Sequence, residues 1–365
     1  MLLKDCATIK GGKRLPKGQT LQGEKNSHPY IRVKDMQKRY VSLSDDYEYV
    51  PDNIFPSISR YIVNTGDVIL SIVGTVGLVA IVDKSLNNAN LTENCVKLVN
   101  IKNFLSKYVY YYLISESGQT QIQAGIVGST QPKFPLYNIE KIEIPDVSMS
   151  EQQHIVDILG TLDDKIENLE EINSKLQNYC IAKYRLLFSD VEHIPLSNIA
   201  AITMGQSPAG NTLNDEDGVV FYQGRTDFGF RYPTVRLFTT DPKRMAKAGD
   251  ILLSVRAPVG DVNIAAEDCC IGRGIAAVSS EYNSFVYYSI LNQKSDFDIY
   301  NNSGTIFGSI NRDALSAFKI PAANISLIET FESMASDVDK SIHNNTKEID
   351  KLRTLKQTYL QKFFG

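Results

Sequence analysis

The stretch SEQQHIVDILGTLDDKIENLEEINSKLQNYCIAKYRLLF at residues 150–188 decides the fold. Its apolar residues recur every three and four positions, which is typical of a helix that buries one stripe against a partner helix. A heptad register fits the whole stretch. Its d positions are Ile155, Leu162, Leu169, Leu176 and Lys183, and its a positions are Leu159, Ile166, Asn173, Cys180 and Leu187. The pattern predicts a long coiled-coil helix over residues 149–189.

A second stretch, at residues 326–364, has the same register 176 residues later. Its d positions are Phe331, Val338, Asn345, Leu352 and Tyr359, and its a positions are Ala335, Ile342, Ile349, Lys356 and Phe363. Since both helices belong to one chain, we predict an intramolecular antiparallel coiled coil. Such pairing would bring Asn173 against Asn345, a buried polar pair that fixes the register at some cost in stability.

The helices are part of a repeat that runs through the chain. LKDCATI at residues 3–9 matches LSNIAAI 193 residues later, and GDVILS at 66–71 matches GDILLS 183 residues later. From Gly128 and Gly304 onward the offset stays at 176 up to Phe188 and Phe364. The copies therefore differ in length only within their globular halves. We predict globular domains at 1–148 and 190–324 and spacer helices at 149–189 and 325–365.

Each globular half has the pattern of an α+β domain. Short apolar runs at residues 66–73 and 78–82, and at 250–255 and 261–265, predict strands around a turn, with Asp67 and Asp250 holding turns. Tyr-rich stretches at 105–115 and 284–292 predict helices, and Tyr108, Tyr110, Tyr111 and Tyr112 are interpreted mainly as core. The predicted fold class is α+β: two repeated α/β globular domains with curved, mainly antiparallel sheets, separated by the two long helices.

The composition indicates a folded, soluble protein with more than one domain. Charged residues make up 22% and hydrophobic residues 43% of the 365 residues. The five cysteines are an odd number with no disulfide or zinc spacing, which favours reduced thiols in the cytoplasm. The start lacks an apolar signal stretch, and the apolar run at 68–82 is shorter than the ~20 residues of a membrane helix. We expect no membrane association.

The charge is unevenly distributed, although the net charge is only −4. Residues 1–40 carry ten basic against three acidic side chains, a net +7, whereas residues 151–171 carry seven acidic against one basic, a net −6. A polyanion senses only the charge within a Debye length of about 8–10 Å. The local basic surface therefore permits nucleic-acid binding despite the acidic total.

Motifs for catalysis are missing from the sequence. Gly12-Lys13 lacks the flanking glycine and hydroxyl of a phosphate-binding loop, because Ala7 and Arg14 occupy those positions. The four histidines have no zinc spacing, and no Gly-x-Ser-x-Gly turn or Asn-Pro-Pro-aromatic stretch occurs. We predict no catalytic residue, no metal and no cofactor of its own.

The order of short motifs resembles the specificity subunit of type I restriction–modification systems over essentially the whole chain. The likeness rests on PYIRVKDM at 29–36, GDVILS at 66–71 and Ile144-Pro145 followed by EQQHI at 151–155, with FYQGRTDFG at 221–229 and GDILLS at 249–254 in the second copy. The second copy departs at residues 326–329, where SLIE replaces the Glu-Gln-Gln helix start. The resemblance implies a non-catalytic subunit that binds double-stranded DNA at a bipartite target, one half-site per globular domain.

The same resemblance implies partners. Two methyltransferase subunits would dock on the chain and carry S-adenosylmethionine for adenine methylation, and nuclease-translocase subunits would join the full complex. Lys and Arg are expected to contact phosphates, and Arg, Gln, Asn and Ser to contact base edges. The candidate DNA contacts are Lys13, Arg14, Lys17, Arg32, Lys34, Ser129, Thr130, Gln131 and Lys133 in copy one, and Gln206, Ser207, Gln223, Arg225, Arg231, Arg236 and Arg256 in copy two.

Two other functions remain open at this stage. The first is a coiled-coil scaffold with two protein-binding heads and no DNA role, which would lack the steep salt dependence of duplex binding. The second is a DNA-modifying enzyme with an unrecognised active site, which would transfer methyl groups without a partner.

Overall fold

The computed structural model describes residues 1–301 and 308–365, so Gly304, the counterpart of Gly128, lies outside the described residues. The chain forms two compact units. Unit 1 comprises Met1–Glu167 and Asp350–Gly365, and unit 2 comprises Asn168–Ile349. Each unit therefore combines one globular half with one end of each long helix.

Unit 1 is built on a mainly antiparallel sheet with the strand order β1-β7-β4-β5-β3, in which only the β3–β5 pair is parallel, and a separate parallel β2–β6 pair. Its strands are β1 Thr8–Gly11, β2 Tyr30–Ile31, β3 Tyr40–Val41, β4 Val68–Ser71, β5 Val79–Val82, β6 Asn90–Leu91 and β7 Cys95–Val99. Its helices are α1 Leu3–Cys6, α2 Phe55–Ile58, α3 Ser106–Ile114, α4 Glu116–Ala124, α5 Leu136–Ile139 and the start of α6 Met149–Phe188.

Unit 2 divides its described strands among two larger sheets and one two-stranded sheet. Its described strands are β8 His193–Pro195, β9 Ala200–Met204, β10 Leu213–Asn214, β11 Val219–Tyr222, β12 Leu237–Thr239, β13 Met245–Ala246, β14 Ile251–Ser254, β15 Val262–Ile264, β16 Cys269–Ile271, β17 Ile275–Ser280 and β18 Lys319–Pro321. The sheet order β15-β14-β17-β9 is antiparallel, and the second sheet, β10-β12-β11-β16-β13, has one parallel pair. The described helices are α7 Asn283–Asn292, α8 Asp298–Asn301, α9 Arg312–Ser316 and α10 Ile325–Phe364, and β18 pairs with β8.

The central strand of each unit is buried on both faces, which explains its unbroken apolar run. In β4, Val68 and Leu70 join one hydrophobic cluster and Ile69 joins another on the opposite face. In β14, Leu253 and Leu252 divide in the same way. The predicted strands and Tyr-rich helices are confirmed to within a few residues in both copies.

The turns that lead into these strands are held by the predicted aspartates. Asp67 Oδ2 accepts the Asn64 N–H at 2.9 Å, and Asp250 Oδ2 accepts the Lys247 N–H at 2.8 Å. Between turn and strand, the glycines at 66 and 249 have φ of +84° and +91°, a left-handed conformation that only glycine adopts without strain. The turn role of both aspartates is confirmed.

The long helices pack antiparallel in each unit. In unit 1, Lys356 Nζ lies 2.6 Å from Asp163 Oδ1, and the ring of Phe363 meets that of His154 further along. In unit 2, Asn345 Nδ2 donates to Asn173 Oδ1 at 2.8 Å, and Phe331 meets Tyr184. All twenty predicted a and d side chains are at least partly buried. The predicted coiled coil and the contact between the two asparagines are confirmed, and the role of that contact in fixing the register stays a prediction.

Further observations bear on the compartment and metal predictions. All five cysteines are unpaired and buried. Burial raises the pKa of the Cys95 and Cys269 thiols to about 12, which leaves both protonated at neutral pH. Within residues 1–301 and 308–365, no helix is long and apolar enough to cross a bilayer, and no His, Cys, Asp and Glu group is arranged to hold a metal.

Candidate nucleic-acid interface

The loop that follows the first long strand of each globular half is pressed against neighbouring backbone. A Cβ on Gly12 would lie 2.0 Å from the Thr92 carbonyl oxygen, and a Cβ on Gly205 would lie 2.2 Å from the Gly272 carbonyl oxygen. No side chain fits at such distances. The two glycines therefore occupy equivalent positions in the repeat. Their close packing fixes the backbone from which the polar residues after them extend.

In unit 1 this loop presents Lys13, Arg14 and Lys17 to solvent. The Lys13 N–H donates to the Leu91 carbonyl at 2.8 Å. Arg14 Nε pairs with Glu93 Oε1 at 3.0 Å, although 75% of the Arg14 side chain remains exposed. These three cations can contact a polyanion without rearrangement of the backbone.

Arg32 and Lys34 differ in availability. Lys34 is exposed. Arg32 is 23% exposed and forms ion pairs with Asp35 and Glu48, so its charge is largely neutralised within the protein. Arg32 is the weaker of these two candidates for a DNA contact.

The predicted loop after Gly128 is an exposed turn. Val127 and Lys133 exchange backbone hydrogen bonds at 2.8 and 3.0 Å, and Ser129, Thr130 and Gln131 lie exposed between them. Lys133 also bridges Val73, the residue that follows β4 and Ile72. The Ile72 N–H donates to the Asn94 carbonyl. The turn after Gly128 therefore lies beside Glu93, the neighbour of Asn94, whose carboxylate pairs with Arg14.

Unit 2 gathers four predicted residues around one pocket. Ser207, Gln223, Arg225 and Arg256 line a cavity of about 370 Å³ together with Arg273, which sequence reasoning missed. We call this cavity, with its three arginines, the arginine pocket. Gln206 is exposed in the loop next to it. The pocket brings together hydrogen-bond donors from four separate loops.

Asp227 organises one wall of the arginine pocket. Its Oδ2 accepts the Gln223 N–H at 2.7 Å and the Gly224 N–H at 3.2 Å. Its Oδ1 pairs with Arg236, whose Nε lies at 2.9 Å. Arg236 is half-exposed, so it both supports this carboxylate and faces solvent.

The prediction that Arg231 contacts DNA is wrong. Its side chain is fully buried, with Nη1 3.2 Å from Asp339 Oδ1 and Nη2 donating to the Tyr288 hydroxyl at 2.7 Å. Burial alone would lower the pKa of Arg231, but Tyr287 and Asp339 raise it above its usual value, so the guanidinium stays charged. Arg231 ties the globular half of unit 2 to helix α10.

Arg39 occupies the equivalent position in unit 1. It donates to Glu167 Oε1 at 3.0 Å, pairs with Asp164 and lies near Asp163, all on helix α6. The Tyr111 hydroxyl donates to Asp163 Oδ2 at 2.9 Å, as the Tyr288 hydroxyl contacts Asp339 at 3.2 Å. We call these two arrangements the arginine clasps.

The repeat contains the signal for the residues that were missed. Asp35 and the clasp arginine Arg39 precede Tyr40 with the spacing that Asp227 and Arg231 have before Tyr232. We call Gly12 and Gly205, each with the loops packed around it, the two seats. Matching the backbone contacts around these glycines aligns Glu93 with Arg273. Extending the repeat through residues 32–40 and 92–95 would have separated clasp residues from exposed candidates.

Comparison with known proteins supports the twofold architecture. The family model described as the type I restriction modification DNA specificity domain matches residues 1–178 and again 189–350. A protein of Methanocaldococcus jannaschii, provisionally named the MjaX type I restriction enzyme specificity subunit, is 28% identical over 92% of this chain and 85% of its own length. The crystal structure of a type I restriction–modification S subunit from M. genitalium aligns over 100% of this chain and 95% of that one, with a TM-score of 0.61 at 19% identity.

At 19% sequence identity the likeness to the solved structure shows a shared fold, whereas the family model matches the sequence itself. The model matches twice, and its matches together cover most of the chain. The two matched ranges also contain both seats, both clasps and most of each long helix. The chain therefore belongs to the family of type I restriction–modification specificity subunits, with two copies of the DNA specificity domain.

Proposed function

We propose that this protein is the non-catalytic DNA-reading subunit of a type I restriction–modification complex. Each unit would bind one half of a bipartite duplex target. Methyltransferase subunits docked on the chain would carry S-adenosylmethionine and methylate adenine, and nuclease-translocase subunits would complete the assembly. The proposal extends the family assignment to this chain's own residues.

The observation that carries the proposal is a seat built twice with different side chains. Around Gly12 the loops present Arg14, Glu93 and Lys133, and around Gly205 they present Ser207 and Arg273. The backbone hydrogen bonds match in the two units, while the exposed polar groups do not. A protein that reads two unlike half-sites requires this combination of a common scaffold and variable donors and acceptors.

The charge of the exposed groups agrees with a duplex ligand. Lys13, Lys17 and Lys34 in unit 1 and Arg256 and Arg273 in unit 2 are exposed. Cations of this kind position a duplex through its phosphates, and each such contact releases counterions. Binding should therefore weaken steeply as salt rises.

The test measures duplex binding and methylation separately. The full chain with its methyltransferase subunits should bind a duplex library, with log affinity falling linearly as log salt rises. Adenine methylation should need both the chain and the methyltransferase, and the chain alone with S-adenosylmethionine should transfer nothing. Binding that ignores salt would favour the scaffold function, and methyl transfer by the chain alone would show a catalytic site of its own.

A further inference from the structure

The arginine pocket of unit 2 has the donor pattern of a base-reading site rather than of a simple basic surface. Arg225, Arg256 and Arg273 line the same cavity of about 370 Å³ with the Gln223 side chain. An inference about what the pocket reads rests on the proposed function, because it assumes that unit 2 meets a duplex.

The guanidinium groups in the pocket are available to a ligand. Arg256 and Arg273 are exposed, and neither side chain forms an ion pair or hydrogen bond with the part of the chain that the structure describes. Arg225 uses only its Nε, which donates to Asp261 Oδ2 at 2.6 Å. The pocket therefore offers several N–H groups without a partner among the described residues.

The backbone beneath these side chains is held by hydrogen bonds. The Arg273 N–H donates to Ser207 Oγ at 3.3 Å. The Val255 N–H, next to Arg256, donates to the Gly274 carbonyl at 2.9 Å. Because the loops are bonded to one another, the backbone of both arginines starts from a fixed position, which lowers the backbone entropy lost when a ligand binds.

The carboxylates near the pocket are occupied. The carboxylate of Asp261 is taken by Arg225 and Lys294, and that of Asp227 by Arg236 and backbone N–H groups. Guanine presents two acceptors, O6 and N7, to the major groove, whereas adenine and cytosine each present a donor there. A site with free donors and occupied carboxylates matches guanine.

The same position in unit 1 has the opposite charge. The Ile72 N–H donates to the Asn94 carbonyl as the Val255 N–H donates to the Gly274 carbonyl, so Glu93 stands where unit 2 has Arg273. Val73, which follows Ile72, stands where unit 2 has Arg256. Unit 1 thus lacks both free arginines and has in their place an aliphatic side chain and a carboxylate that is paired with Arg14.

We propose that unit 2 recognises a guanine in its half-site through Arg256 and Arg273, and that the corresponding position of unit 1 does not select guanine. Either arginine can donate two parallel hydrogen bonds to guanine O6 and N7, the commonest specific contact between an amino acid and a base. Arg225 lines the same pocket, where its link to Asp261 makes it a supporting cation.

The experiment selects bound duplexes from a library randomised in both half-sites, using the full chain in complex with its methyltransferase subunits. Sequencing the bound fraction should show guanine at one position or more of the half-site read by unit 2. Arg273→Ala and Arg256→Ala should each relax that preference by about 5- to 100-fold and leave the other half-site unchanged. Arg244→Ala, which removes an exposed arginine of the same unit outside the pocket, is the matched control and should retain the preference.

Salt titration separates base reading from phosphate binding. If Arg273→Ala weakens all sequences equally and lowers the salt slope by about one, the residue contacts phosphate and the guanine assignment is overturned. A unit 2 half-site without guanine overturns it as well. If the wild-type complex shows no salt-dependent duplex binding at all, the proposed function itself fails, which is a different result.

Discussion

The two arginine clasps make the same connection in different electrical surroundings. In unit 1, Arg39 faces several acids, of which Asp164 is 71% and Glu167 39% exposed, and Lys356 shares Asp163. In unit 2, Arg231 is fully buried and its ion-pair partner is Asp339, which is 13% exposed. Both copies of the repeat retain the link between globular half and helix. The link in unit 1 is a network with solvent-exposed acids, which we call the hydrated clasp, and the link in unit 2 is a buried ion pair, which we call the dry clasp.

The largest expected effect follows from this difference. Arg231→Met leaves the Asp339 charge buried without its partner, which should lower the free energy of unfolding by about 3–5 kcal/mol. Arg39→Met should cost less, about 1–2 kcal/mol, because Asp164 and Glu167 can turn to water and Lys356 remains beside Asp163. Denaturant unfolding of both variants, monitored by circular dichroism, measures the two costs.

Arg256→Met is the control for these variants, because it removes an exposed arginine of unit 2 and should change stability by no more than about 0.5 kcal/mol. An Arg39→Met variant that loses as much stability as Arg231→Met would contradict the distinction between the hydrated and the dry clasp.

The two seats offer the next comparison, since Glu93 and Arg273 occupy equivalent places. Glu93→Arg gives unit 1 the charge of unit 2 at that position. It should reduce affinity for the original unit 1 half-site by about 1–3 kcal/mol, because a carboxylate acceptor paired with Arg14 is replaced by a donor that repels Arg14. Selection from a randomised duplex library measures the change in each half-site.

Arg273→Glu is the reciprocal variant and should affect only the half-site of unit 2. If either substitution altered the preference at both half-sites, the two units would not read their half-sites independently. The difference between Glu93 and Arg273 would then not explain the choice of half-site. Thermal unfolding should confirm that the substitutions at exposed Arg273 and partly buried Glu93 leave the fold intact.

The asparagine pair belongs to unit 2. Asn173→Leu leaves Asn345 without its partner in a half-buried place and should cost about 1–2 kcal/mol. The double variant Asn173→Leu with Asn345→Leu removes both polar groups and should recover the lost stability or exceed it. Denaturant unfolding compares the two, and a double variant less stable than the single one would mean that the pair stabilises the helices rather than fixing their register.

The sequence was sufficient for those parts of the fold that depend on periodicity. Heptads located both long helices, because apolar spacing defines the seam, and the Asn173–Asn345 contact followed from pairing the two helices of one chain antiparallel. The buried strands were found for the same reason, since an unbroken apolar run such as that at residues 68–71 can only be covered on both faces.

The candidate site was harder to predict, because exposure depends on which loops meet. Arg231 and Arg256 are both arginines in loops of unit 2, yet Arg231 is buried against Asp339, more than 100 positions away in the sequence. Arg273 was missed because its neighbours in the pocket come from three other loops. The sequence shows where the arginines are. Only the tertiary contacts decide whether an arginine joins a clasp or stays exposed and available to DNA.

The smallest expected effect compares how the two Tyr-rich helices are held at their starts. In unit 1, the neutral side chain of Gln152 accepts the Leu105 N–H at 2.9 Å. In unit 2, the carboxylate of Glu332 accepts the Ser284 N–H at 3.1 Å and the Phe285 N–H at 2.8 Å. Burial raises the pKa of Glu332 above its usual value, although these backbone hydrogen bonds oppose the shift.

The sign of the resulting pH effect follows from proton uptake. Because the folded pKa of Glu332 exceeds the unfolded value near 4.5, the folded state binds the proton first as pH falls. Wild-type protein should therefore gain stability relative to Glu332→Gln as pH falls from neutral through the folded pKa, and the difference should level off below about 4.5. Thermal unfolding of both proteins from pH 7 to 4.5 measures this difference, in which the other acids cancel. The expectation is contradicted if the stability of the wild type relative to Glu332→Gln stays constant or falls on acidification. Either result would mean that the hydrogen bonds from the Ser284 and Phe285 N–H groups offset or outweigh the effect of burial on the pKa of Glu332.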